Sequence, residues 1–117
     1  MRDYKKIKAW QLADQLVVEA YKATKPFPKD ELYGLTSQLR RAAVSVPSNI
    51  AEGASRQHKK KDYTRFLYIA RGSLSETEYL MYLSNRLNYI ADDVYMKLSS
   101  LCKEVQATLF GAPLKTS

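Results

Sequence analysis

The side chains in this 117-residue chain that most readily do chemistry are few and scattered. His58 is the only histidine and Cys102 the only cysteine. A zinc site built from these two and carboxylates would have no recognisable ligand spacing. A di-iron helical bundle needs Glu-x-x-His pairs, but Glu52 is followed three residues later by Ser55 and Glu76 by Tyr79. Cys102 falls in an apolar register and reads as a small buried residue rather than a nucleophile. Ser45 and Ser48 have no histidine beside them to act as base. Glu76 and Glu78 stand two apart, on different faces of a helix, so they make a poor acid/base pair within one chain. Carboxylates from two copies could still meet across an interface. "ARGSLSE" contains one glycine and is no phosphate-cradling loop. The expectation is a protein that is not an enzyme and that uses no cofactor or metal.

The basic residues carry a stronger signal. The net charge is +7 and the pI near 9.5, and the excess is uneven. Residues 1–61 hold 13 Lys/Arg against 6 Asp/Glu, whereas residues 62–117 hold 6 of each. Such asymmetry fits a polyanion partner. Three groups stand out: Arg2, Lys5, Lys6 and Lys8; Arg40 and Arg41; and Arg56, Lys59, Lys60 and Lys61 around His58. Lysines at the start of a helix oppose its dipole, and Asp62 offsets this only in part. The expected nucleic-acid contacts are Arg2, Lys5, Lys6, Lys8, Arg40, Arg56, Lys59, Lys60 and Lys61. The competing reading is a solvated tail and a solvated lysine run, with Arg40 and Arg41 in salt bridges to Glu52, Glu76 or Glu78. No RNA-reading motif is present, so contacts to RNA or structured DNA would be to phosphate and shape.

The elements that must position these groups are helical. Glycines number only four, and no alternating run has the character of a strand pair. Apolar spacing predicts helices at about 7–25, 31–55, 59–89 and 92–110. The first places Trp10, Ala13, Val17 and Ala20 on one face, with Leu12 and Leu16 beside it. The second has Leu32, Leu35, Leu39, Ala43, Val46 and Ile50 in its core stripe. The third has Phe66, Leu67, Ala70, Leu74, Thr77, Met81 and Ser84. The fourth has Val94, Leu98, Leu101, Val105 and Leu109, with Asp92 as its expected N-cap. Short links between them predict one all-α domain, an up-down-up-down antiparallel four-helix bundle.

Pro47 interrupts the second helix in "SVPSNIAEG". An interior proline costs a helix about 3 kcal/mol, yet the apolar spacing continues in phase beyond it. The expectation is a helix bent at Pro47 rather than ended, with Ser45, Ser48 and Asn49 bonding near the interruption. The face opposite the core is mostly small. The third helix carries a second apolar stripe of Ile69, Leu80, Leu83 and Leu87, and a tyrosine stripe of Tyr68, Tyr79, Tyr82 and Tyr89. This surplus predicts a homo-oligomer, with Arg41, Ser45, Pro47, Ser48, Glu52, Tyr68, Glu76, Tyr79, Leu80 and Leu83 at its interface. The competing reading is a monomer whose tyrosines cover its rim.

"LRRAAVSVPSNIAEGASR" (Leu39–Arg56) and "FLYIARGSLSETE" (Phe66–Glu78) resemble the four-helix-bundle proteins encoded in intervening sequences of bacterial 23S rRNA genes. "IKAWQLADQLVVEAYKAT" and the tyrosine-rich third helix extend the resemblance over nearly the whole chain. It implies a ring-like homopentamer. It also implies likeness to the accessory variability proteins of diversity-generating retroelements, basic pentamers that bind nucleic acid and partner a reverse transcriptase. No apolar run is long enough for a membrane span, no signal peptide is recognisable, and a single cysteine forms no internal disulfide. A cytoplasmic location is therefore expected. Two function classes remain: a basic oligomer that binds nucleic acid, or a protein-interaction scaffold such as an accessory subunit of a nucleic-acid enzyme.

Overall fold

The computed structural model describes residues 3–111. Helices α1 (Lys8–Thr24), α2 (Leu35–Ser55), α3 (Lys60–Arg86) and α4 (Asp92–Thr108) follow in chain order. Short 3-10 turns cover Tyr4–Lys6 and Lys29–Glu31, and the described residues contain no strand. Helices adjacent in sequence pack on one another and α4 closes against α1; among the described residues the two diagonal pairs do not bring their backbones within 8 Å. The registers confirm the antiparallel arrangement. Thr24 of α1 meets Arg40 of α2, and Ser45 of α2 meets Ser73 of α3. Tyr68 of α3 meets Phe110 just beyond α4, and Glu19 of α1 meets Lys97 of α4.

The core is an aliphatic column of Leu16, Leu39, Val46, Ile50, Leu74, Met81, Leu98 and Val105. Burying each such side chain contributes about 1.5–3 kcal/mol relative to leaving it in water. Thr24, Thr77 and Ser84 are buried among them because each hydroxyl donates to the carbonyl four residues earlier. Among the described residues no buried side-chain polar atom lacks a partner.

Several expectations need correction. The core stripe of α1 is Ala9, Leu12, Ala13, Leu16 and Ala20, whereas Trp10 and Val17 are only half-buried. The second helix begins at Leu35, not residue 31. Pro28 opens a separate 3-10 turn, and the Glu31 carboxylate accepts the Leu35 N–H at 3.0 Å. Leu32 is consequently half exposed rather than core. In the third helix Phe66 is half-buried rather than core.

The third helix ends at Arg86 because Asn88 takes a left-handed φ of 64°. The Asn88 N–H then reaches the Asn85 carbonyl and the Tyr89 N–H the Ser84 carbonyl, the paired bonds of a Schellman motif. Asp92 is not the N-cap of α4. Ala91 holds that position, and the Asp92 carboxylate instead accepts from Asn85 Nδ2 at 2.8 Å. Val94 is exposed rather than core.

Helix α2 runs unbroken through Pro47, as the in-phase spacing predicts. Asn49 Nδ2 donates to the Ser45 carbonyl and hydroxyl, at 2.8 and 3.0 Å. The Ser45 hydroxyl lies 2.7 Å from that of Ser73, so the polar stretch around the proline latches α2 to α3.

A basic end and two outward faces

The antiparallel order brings separate stretches of sequence to one end of the bundle. The turn before α1 packs on α2, where Tyr4 and Trp10 share a groove of about 300 Å³ with Pro47, Ser48 and Ala51. The Tyr4 and Trp10 rings stand edge to face at 5.1 Å. This anchors Lys5, Lys6 and Lys8 beside the C-terminal half of α2, so these lysines are not a free tail. The link from α2 to α3 leaves the same end. It adds Arg56, Lys59, Lys60 and Lys61, and Arg65 follows one turn into α3. All eight cations are exposed. Carboxylates at this end include Asp3, Glu52 and Asp62. Asp3 accepts from the Lys5 N–H, and Glu52 pairs with Arg56 at 3.0 Å.

Helix α3 starts on this end with no side-chain cap; Lys59 is its N-cap residue and Lys60 and Lys61 lie in its first turn. Its free N–H groups and these three lysines therefore share one end of the bundle, an arrangement favourable to an anion. Phe66 stiffens the surface behind them. The guanidiniums of Arg65 and Arg56 lie 4.5 and 5.3 Å from its ring centroid.

Arg40 belongs elsewhere. Its Nε donates to Thr24 Oγ1 at 2.8 Å, and its guanidinium covers the Tyr21 ring at 4.6 Å. It therefore stands near the far end of the α1–α2 face, apart from the lysine cluster. Arg2 lies outside the described residues. Sequence reasoning missed Arg65 because its role depends on a helix phase that places it beside Arg56, nine residues earlier across a turn.

The residues expected at an oligomer interface divide among several surfaces. Pro47 and Leu80 are buried within the single chain. Ser45 is committed to Ser73, and Ser48 borders the α1–α2 groove. The outer face along α2 and α3 retains Arg41, Glu52 and Glu76, with exposed Ile69 and Leu87 and half-buried Leu83. The second apolar stripe is thus smaller than the sequence implies, because α2 covers Leu80. Among the described residues no ion pair joins Arg40 or Arg41 to a carboxylate. Tyr68 instead meets Phe110 just beyond α4, and Tyr79 and Tyr82 are exposed.

Elsewhere the chemistry is quiet. Cys102 is fully buried, and burial, with Glu78 nearby, pushes its thiol up to about 12. The lysine hydrogen bond from Lys97, with help from Lys22, holds the Glu19 carboxyl below its usual value. The described residues contain no group of three His, Cys, Asp or Glu able to share a metal ion. No helix among them is long and apolar enough to cross a membrane.

The profile of the 23S rRNA-intervening sequence protein family matches residues 5–111. The fold is similar to the crystal structure of a protein of unknown function from the S23 ribosomal protein family of Bacteroides thetaiotaomicron. The TM-score is 0.77 at 23% identity, over 90% of this chain and 97% of that one. No curated protein sequence matches the chain.

Proposed function

This chain belongs to the 23S rRNA-intervening sequence protein family, and for it we propose a non-catalytic role: a self-associating bundle that binds RNA or structured DNA through its basic end. The supporting observation is the exposure of Lys5, Lys6, Lys8, Arg56, Lys59, Lys60, Lys61 and Arg65 at the one end of the bundle where α3 starts without a side-chain cap. Phosphate contacts of this kind position a nucleic acid without reading its sequence, so affinity is broad in sequence and steep in salt. Self-association uses the outer α2–α3 face. There both charge signs, Arg41 with Glu52 and Glu76, flank the exposed aliphatics Ile69 and Leu87. A repeated basic end in an oligomer multiplies weak phosphate contacts. The protein acts in the cytoplasm on this reading.

The test is fluorescence anisotropy with a labelled structured RNA at low salt. The wild-type chain binds, and reversing Lys59, Lys60 and Lys61 to glutamate weakens binding at least tenfold while the mass in light scattering stays the same. If the wild type does not bind, the function is wrong, and a scaffold for a protein partner becomes the better reading. If the triple variant falls apart into single chains, the lysines belong to the assembly and not to the ligand.

A further inference from the structure

The outward positions of α3 on its α4 side hold cations and aromatic rings. Tyr68, Arg71, Tyr82 and Arg86 recur at spacings of three, four or eleven residues, which keeps them within one stripe. All four are exposed, and Phe110, just after α4, joins them. The Arg71 guanidinium lies 4.7 Å from the Tyr68 centroid and 5.6 Å from that of Phe110, and these two rings are 4.9 Å apart. In the last turn of α3, Arg86 Nη1 donates to the Tyr82 hydroxyl at 3.3 Å and the guanidinium lies 5.9 Å from the ring. Gly72 and Ser75, which lie between the two clusters, are small and exposed.

We propose that this stripe is a stacking track for single-stranded nucleic acid, leading away from the basic end along α3. The inference rests on the proposed nucleic-acid function and adds the strandedness of the ligand. Aromatic faces stack on any base, and arginine between them supplies both charge for phosphate and a planar surface for a base. From Tyr68 to Arg86 the stripe is about 27 Å long at 1.5 Å per residue, room for roughly eight nucleotides at the 3.4 Å stacked spacing.

Charge complementarity separates this face from the one assigned to self-association. The α2–α3 face is aliphatic and carries both signs, which suits a second copy. The track carries Arg71 and Arg86, and among the described residues neither forms an ion pair with a carboxylate. The nearest acids are turned away or occupied. Glu76 points to the α2 side, Glu78 is half-buried toward Cys102, and Asp92 accepts from Asn85. A flexible single strand can lay unpaired bases on the rings. A duplex keeps its bases stacked inside and offers them only phosphate.

The test compares labelled oligo(dT) of 20 nucleotides with a 20-base-pair duplex, on the full chain. Wild type binds both. Tyr68→Ala and Tyr82→Ala each weaken oligo(dT) binding about tenfold and leave duplex binding within twofold. Tyr68→Phe and Tyr82→Phe keep the ring and restore oligo(dT) binding to within about twofold of wild type. Reversal of Lys59, Lys60 and Lys61 weakens both ligands. The track is overturned if the duplex binds and oligo(dT) does not, a result that leaves the basic-end function standing. It is also overturned if the alanine variants bind oligo(dT) like wild type or lose affinity only by dissociating the oligomer. Absence of binding to either ligand removes the basic-end function and the track together.

Discussion

Gly53 of α2 lies so close to Phe66 of α3 that a Cβ at residue 53 would sit 3.1 Å from the Cβ of Phe66. The same atom would meet the Tyr63 ring and carbonyl at 3.4 Å. The glycine in "IAEG" therefore sets how closely the two helices meet just behind the basic end.

Alanine at residue 53 should consequently not deliver the usual helix gain. Glycine-to-alanine replacement inside a helix stabilises by about 0.8–1 kcal/mol where space is free. Here the obstructing atoms are a side-chain root and a backbone carbonyl, which cannot swing aside. Gly53→Ala is expected to destabilise by about 1–2 kcal/mol through overpacking. Gly72→Ala is the matched control, since nothing lies within 4 Å of its added Cβ. It should stabilise by about 0.5–1 kcal/mol. Urea denaturation of the two variants checks both signs.

The end of α3 offers a second stability test. Asn88 occupies a left-handed conformation at φ 64°, which glycine adopts without a Cβ penalty. Asn88→Gly should raise stability by up to about 1 kcal/mol, and Asn88→Val should lower it by at least about 1 kcal/mol. Thermal unfolding of the pair reads this directly.

Cys102 should be silent in the folded protein. Its thiol is buried and pushed up to about 12, so little thiolate exists near neutral pH. Labelling with an iodoacetamide probe at pH 8 is expected to be negligible until denaturant unfolds the chain. Fast labelling of the native protein would place Cys102 outside the core.

The Glu19–Lys97 bridge, 3.2 Å between α1 and α4, gives a pH signature. The Glu19 carboxyl is held lower in the folded chain than its ordinary value of 4.5. Its contribution is therefore present above that value and disappears as pH falls through the lowered folded one. Lys97 is 60% exposed, so the pair is worth less than about 1 kcal/mol. Lys97→Met should be slightly less stable than wild type at pH 7 and indistinguishable from it at pH 2–3. Denaturation curves at the two pH values check it.

The four-helix order and most of the core were legible in the sequence because apolar spacing reports the buried face directly. Leu39, Ala43, Val46, Ile50, Leu74 and Met81 fell where periodicity put them. Leu32 did not, because the Glu31 side chain caps α2 from outside the helix, an interaction with no periodic signal. Leu80 was read as surplus because a helical wheel knows the direction of a residue but not how far α2 reaches around it. The basic residues were visible one cluster at a time. Their union at one end, and the exclusion of Arg40 from it, needed the antiparallel packing and the Thr24 and Tyr21 contacts.

The salt dependence of RNA binding tests the role of the basic end most directly. Anisotropy titrations between 20 and 200 mM salt should give log affinity falling linearly with log salt, with a slope of about −3 to −5. That magnitude corresponds to roughly four to six phosphates neutralised. Reversal of Lys59, Lys60 and Lys61 should flatten the slope by about two or more. A salt-independent affinity, or no detectable binding at the lowest salt, would contradict phosphate binding by the basic end.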